Sequence, residues 1–111
     1  MLTVRLSSTQ PLPGGGTPGS SAVQRGFRVG VEIRPHLEAY RVAVVWTPDG
    51  WQSTRYVPGQ LTQIADGSEI WSAEVSWVVT PPTTFFYAVV GVGFDGPVWD
   101  NNGGWNYRWV S

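Results

Sequence analysis

Period-two alternation is the strongest constraint that this chain carries. Phe27, Val29, Val31 and Ile33 alternate with Arg28, Gly30, Glu32 and Arg34, the pattern of a strand with one buried and one wet face. Trp71, Ala73, Val75 and Trp77 alternate in the same way with Ser72, Glu74 and Ser76. Val42 to Trp46 is a short apolar run stopped by Pro48-Asp49-Gly50, a strong turn signal. Pro81-Pro82 breaks the chain before the longest strand, Phe85 to about Phe94, and Tyr107 to Val110 forms the last one. No segment carries a helical period. About seven to eight short strands separated by Gly/Pro turns predict an all-β fold, an antiparallel immunoglobulin-like β-sandwich.

A chain of 111 residues makes a single domain able to bury one core without staples. Residues 11–21, PLPGGGTPGSS, read as a flexible Gly/Pro-rich loop between two strands rather than a boundary. There are no cysteines, which excludes disulfides and thiolate metal sites. Seven Arg against eight acidic residues leave a net charge of −1, which argues against nucleic acid or an anionic membrane as partner. Met1 to Leu6 alternates like a strand and lacks the charged and apolar blocks of a signal peptide. No apolar run approaches membrane length. A secreted parent protein remains compatible with these features, and they assign no compartment.

The parts for catalysis are few. His36 is the one histidine, in a turn context after Arg34-Pro35, so neither a histidine metal site nor a nucleophile–histidine pair can be assembled. A glycosidase needs two carboxylates across a cleft. Asp95 and Asp100 come nearest, but both sit where Asp ordinarily caps the backbone. Asp100 with Asn102 has no recognisable calcium-loop spacing. The expectation is a non-enzymatic domain without metal or cofactor.

Aromatic content is the unusual number: seven Trp, four Tyr and four Phe exceed what one small core takes. They concentrate in Trp99-Asp100-Asn101-Asn102-Gly103-Gly104-Trp105-Asn106-Tyr107, which sets large rings and carboxamides around a Gly-Gly turn. Local turn chemistry reads Asn102-Gly103 as a hairpin tip, with Asp100 and Asn101 bonding their own backbone. That reading leaves Trp99 and Trp105 flanking a glycine-rich tip where burial is hard to arrange. A sugar offers the alternative, because its apolar C–H faces suit indole rings and its hydroxyl edges suit amides.

The stretch Trp99-Asp100-Asn101-Asn102 followed by Asn106-Tyr107 resembles the WDNN-x-x-x-NY signature of starch- and glycogen-binding carbohydrate-binding modules (families 21, 25 and 53). Arg41 to Trp51, RVAVVWTPDGW, resembles the apolar strand and D-x-W turn of those modules, and Phe85-Phe86-Tyr87 their penultimate strand. The similarity covers about residues 26–110. It implies non-catalytic binding of α-1,4-glucan (starch, glycogen or maltooligosaccharide) by a module fused to, or associated with, a carbohydrate-active enzyme. It implies a sugar platform of Trp51, Tyr87 and Trp99, with Asn101, Asn102 and Asn106 hydrogen-bonding hydroxyls or shaping the loop. A second site would use Tyr56 and Tyr40. Gly103-Gly104-Trp105 departs from the small or charged residues usual there, so Trp105 either adds a stacking surface or packs under the loop.

Of the other tryptophans, Trp71 and Trp77 share the inward face of their strand, Trp46 ends an apolar one, and Trp109 fits either role. Tyr107, opening the last strand, reads as structural. Two other functions fit the aromatic loops. One is protein recognition through exposed aromatic hot spots, and the other is stacking of single-stranded nucleic acid, which the near-neutral charge disfavours.

Overall fold

The structure is a computed structural model that describes residues 2–12, 15–16, 23–35, 39–79 and 84–110. The first strands are β1 (Thr3–Pro11), β2 (Gly15–Gly16), β3 (Val23–Arg34), β4 (Ala39–Thr47) and β5 (Arg55–Pro58). They are followed by β6 (Gln60–Ala65), β7 (Ser68–Val79), β8 (Thr84–Gly93), β9 (Gly96–Asp100) and β10 (Tyr107–Val110). Two antiparallel sheets result. One runs β1-β3-β7-β6 with β2 beside β3; the other runs β10-β8-β4-β5 with β9 beside β8.

The alternation read from the sequence decides what each sheet buries. Phe27, Val29, Val31 and Ile33 of β3 are fully buried, facing Val42, Val44 and Trp46 of β4 and Phe85, Tyr87 and Val89 of β8. The Phe27 ring is the hub of this core. It lies edge-on to Phe85 at 5.9 Å, tilted on Tyr87 at 5.0 Å and stacked on Trp109 at 5.1 Å. The two sheets approach closely at Gly91, where a Cβ would come within 2.7 Å of Val4 Cγ2 and would force that side chain to shift.

Between β5 and β6 the chain changes sheets. Val57 still packs on the core, and Gly59 donates its N–H to the Val42 carbonyl at 2.7 Å before β6 joins the opposite layer. The expected antiparallel sandwich is therefore what the chain forms. Ten strands are described rather than seven or eight, because β5, β6 and β9 are short edge segments with weak alternation. Of the loop expected at 11–21, Pro11 ends β1 and Gly15–Gly16 pairs with β3. Residues 13–14 and 17–21 lie outside the described residues, as do His36 and the Pro81-Pro82 break. Trp71 is half-buried with its indole N–H on Glu69 at 3.0 Å. Trp77 sits at the sandwich rim, edge-on to Trp46, with the Arg55 guanidinium 3.9 Å over its ring.

Candidate functional site

Register shows what the Trp99–Tyr107 stretch is. On the same edge of β8, Asp100 pairs with Val89 and Tyr107 pairs with Tyr87. Ala88 alone separates those two partners, whereas six residues, Asn101 to Asn106, separate Asp100 from Tyr107. The stretch is thus an excursion out of one continuous edge strand: β9 and β10 run in the same direction on either side of it. The hairpin reading is corrected here. Asn102 and Gly103 adopt the positive φ values a hairpin turn would need, 56° and 67°, but no strand folds back.

The sequence of the excursion follows from its backbone. Positive φ is required at Asn102, Gly103, Gly104 and Asn106, positions filled by the residue types that tolerate it. The chain closes through Asn106 N–H donating to the Asn101 carbonyl at 2.7 Å. Asn101 Oδ1 accepts from Gly104 N–H at 3.0 Å, and Asn102 Nδ2 donates to the Asn106 carbonyl at 3.2 Å. Asp100 holds the base. Its carboxylate accepts from Leu6 N–H of β1 at 2.7 Å, Tyr107 Oη at 2.8 Å and Asn102 N–H at 3.2 Å. Burial, with the Asp100 contact second, pushes the Tyr107 phenol up to about 12. Trp105 is the one bulky residue in the excursion, and it projects with 84% of its surface exposed.

Beneath lies the outer face of the β10-β8-β4-β5 sheet. Register arranges it in rungs: Tyr56–Val45–Ala88, then Pro58–Ala43–Val90–Trp99, and on the other side Thr47–Phe86–Arg108. Ala88 and Val90 are buried although they stand outside the core cluster. The face is therefore an apolar floor with aromatic walls, Tyr56 (76% exposed) across from Trp99 (49% exposed). Tyr56 and Trp99 stand three strand spacings and one rung apart, about 15 Å. A cleft of about 380 Å³ opens between Phe86, Arg108 and the excursion residues Asn102, Trp105 and Asn106.

Trp51 is exposed in a braced turn that follows β4. Thr47 is fully buried, and its hydroxyl accepts from Trp51 N–H at 3.0 Å while donating to Asp49 Oδ1 at 2.7 Å. Asp49 also accepts from Ser53 N–H at 2.9 Å and Ser53 Oγ at 2.8 Å. These bonds, led by the Ser53 amide, hold the Asp49 carboxyl below its ordinary pKa. The result is Trp51 in the left-handed region at φ 70°, a conformation that bulky residues avoid. Strain of this kind persists only where its surroundings enforce it, and it clusters at functional positions.

Residue by residue, the face gathers Tyr56, Trp99, Trp105, Asn102 and Asn106, while Trp51 is exposed in the turn that follows β4 of the same sheet. Asn101 and Asn102 are exposed, and each spends one half of its amide on closing the excursion. Tyr87 does not join them, and its place in the expected platform is corrected. It is 2% exposed, packed on Phe27 and on Tyr107 at 5.6 Å, and burial raises its phenol pKa to about 12. Its neighbour Phe86 points to the outer face instead, because adjacent residues of a strand face opposite ways. The inward alternation Phe85-Tyr87-Val89 was the signal that separates the two. Tyr40 sits at a register shift in β4, and its side chain lies outside the described residues. Asp95 is exposed between β8 and β9. Among the described residues, no three His, Asp or Glu side chains cluster as a metal centre would require.

No family model and no curated sequence matches the chain. Among the solved structures to which it is similar is the solution structure of the carbohydrate-binding module of the muscle glycogen-targeting subunit of protein phosphatase-1. The two share 20% identity over 90% of this chain and 73% of that one, with a TM-score of 0.49.

Proposed function

We propose that the chain is a non-catalytic module that binds α-1,4-glucan on the outer face of the β10-β8-β4-β5 sheet, bringing an attached or associated enzyme to the polysaccharide. The observation that carries the reading is the convergence on one sheet face of three exposed aromatics (Tyr56, Trp99 and Trp105) around an apolar floor, with Trp51 exposed in the turn that follows β4 of the same sheet. Exposed aromatics scattered singly are ordinary; a set gathered on one face is costly to keep in water unless something covers it. Pyranose rings present polarised C–H groups to the negative face of an indole. Asn102, Asn106 and Arg108 at the cleft supply donors and acceptors for the hydroxyls. Walls at both sides of a floor suit a curved glucan better than a flat ribbon.

The same register supports one continuous aromatic site in place of two aromatic ones. Tyr56, expected in a second site, shares the floor with Trp99 and Trp105. The carboxylates support a non-catalytic role: Asp100 is engaged by three donors at the base of the excursion, and Asp95 is remote from the cleft lining. Few contacts set against the entropy of immobilising a flexible glycan give an affinity on the order of micromolar to millimolar. Co-sedimentation with granular starch is the test. Retention of the chain, weakened by Trp51→Ala and by Trp99→Ala in a folded protein, supports the reading. A chain that stays in the supernatant and gives no fluorescence response to maltoheptaose overturns it.

A further inference from the structure

The opposite side of the sandwich carries a second depression, which touches the other sheet only along Val57 and Pro58 of β5. A trough of about 670 Å³ runs across the outer face of the β1-β3-β7-β6 sheet. Its floor is one rung, Ser8–Gly30–Ser72–Gln60, made of small and polar residues. The next rung adds Gln10, Arg28 and Glu74. A sheet face that only meets water needs polar side chains but no depression. Here the depression has a cause in the backbone. Both edge strands are irregular beside the same rung, Leu6–Val31–Trp71–Leu61: β1 shifts register between Leu6 and Ser8, and β6 between Leu61 and Gln63. Bulges bend a strand and increase its twist, and paired bulges on both edges curl the sheet around its middle. Gly30 keeps the centre low, since a Cβ there would lie 2.6 Å from Ser8 Oγ.

The chemistry of the lining names its occupant. Arg28 and Glu74 neutralise each other at 3.1 Å, so the trough has no net charge for an anion or cation. Gln10 and Gln60 each bring donor and acceptor together, and Ser8 and Ser72 add hydroxyls. Pro58 and Ile70 contribute a strip of apolar surface at one wall. Donors and acceptors without charge, beside a small C–H surface, match a neutral polyhydroxylated chain. We propose that this trough is a second carbohydrate-binding site, which takes a single neutral oligosaccharide through amide and hydroxyl hydrogen bonds and without aromatic stacking.

The test is a ¹⁵N–¹H titration of the Trp51→Ala/Trp99→Ala/Trp105→Ala variant, in which the aromatic face is silenced. Maltoheptaose, cellohexaose and xylohexaose are each added to millimolar concentration. The proposal expects the amide signals of Gln10, Gly30, Gln60 and Ser72 to shift with at least one of the three. Adding Ser72→Trp, which fills the floor, should weaken that response at least tenfold in a chain whose other signals stay dispersed. Trough signals that ignore all three sugars, or that shift equally with Ser72→Trp, overturn it. Should the triple variant fail to fold, the wild-type chain serves, because the trough amides lie on the other sheet from the aromatic face. The indole signals of the wild-type chain with maltoheptaose report on the aromatic face separately, so either site can fail without the other.

Discussion

Trp51 concentrates the account at the scale of single residues. An indole at φ 70° is held there by the buried Thr47 hydroxyl and by Asp49, an expense of order 1–3 kcal/mol that the fold alone does not require. Trp51→Gly should therefore abolish sugar binding while changing stability by less than about 1 kcal/mol, since relief of the strain offsets the lost packing; calorimetry and starch co-sedimentation read the two effects. Asp49 acts on Trp51 from behind, as a positioning residue. Its folded pKa is depressed, so its bracing is present above the ordinary carboxyl value of 3.8 and is lost as pH falls through the lower folded value. Affinity for maltoheptaose should accordingly hold flat from neutral pH to about 4 and fall below it. In Asp49→Ala it should already be several-fold weaker at pH 7, with the Tm little changed. Equal affinity in Asp49→Ala and wild type would remove Asp49 from the account.

Elements show where the sequence was legible and where it was not. The inward faces of β3 and β7 followed directly from period two, because each strand's own residues decide which face is apolar. The faces of β8 were equally available: Phe85, Tyr87 and Val89 alternate with Phe86 and Ala88. A resemblance that pointed to Tyr87 rather than Phe86 placed a core residue on the platform, and a shift of one residue exchanges core for surface. Phe86→Ala should therefore weaken binding with little loss of stability, whereas Tyr87→Ala should cost about 3–5 kcal/mol in a denaturant titration. The excursion between β9 and β10 was hidden for another reason. Its Asn-Gly chemistry is that of a hairpin, and only pairing with β8, a contact distant in sequence, reveals that the chain continues onward. Its anchor carries a prediction of its own. Asp100→Ala strands the Leu6 amide and the Tyr107 hydroxyl, which should destabilise the fold by about 1–3 kcal/mol and loosen Trp105. β5, β6 and β9 escaped notice because edge strands are short and mostly exposed, so their own pattern is faint.

The whole molecule divides its work between two layers and one core. Phe27 and its aromatic partners hold the sheets together, which leaves the outer faces free to differ: one apolar and walled by rings, the other polar and troughed. Tyr87 and Tyr107 tie core integrity to alkaline pH. Both phenols are raised from about 10 to about 12, so their contribution is complete below pH 10 and is lost as pH climbs through the folded value. Thermal melts should show stability declining between about pH 10 and 12, and Tyr107→Phe should blunt that decline. The seven tryptophans carry their own controls for binding at the aromatic face. The decisive measurement is a titration of the wild-type chain with maltoheptaose, followed through its seven indole N–H signals by nuclear magnetic resonance. Trp51, Trp99 and Trp105 should shift together with a single dissociation constant while Trp46, Trp71, Trp77 and Trp109 hold still. Movement of Trp71 or Trp77 ahead of that trio, or no movement at all, would contradict binding at that face.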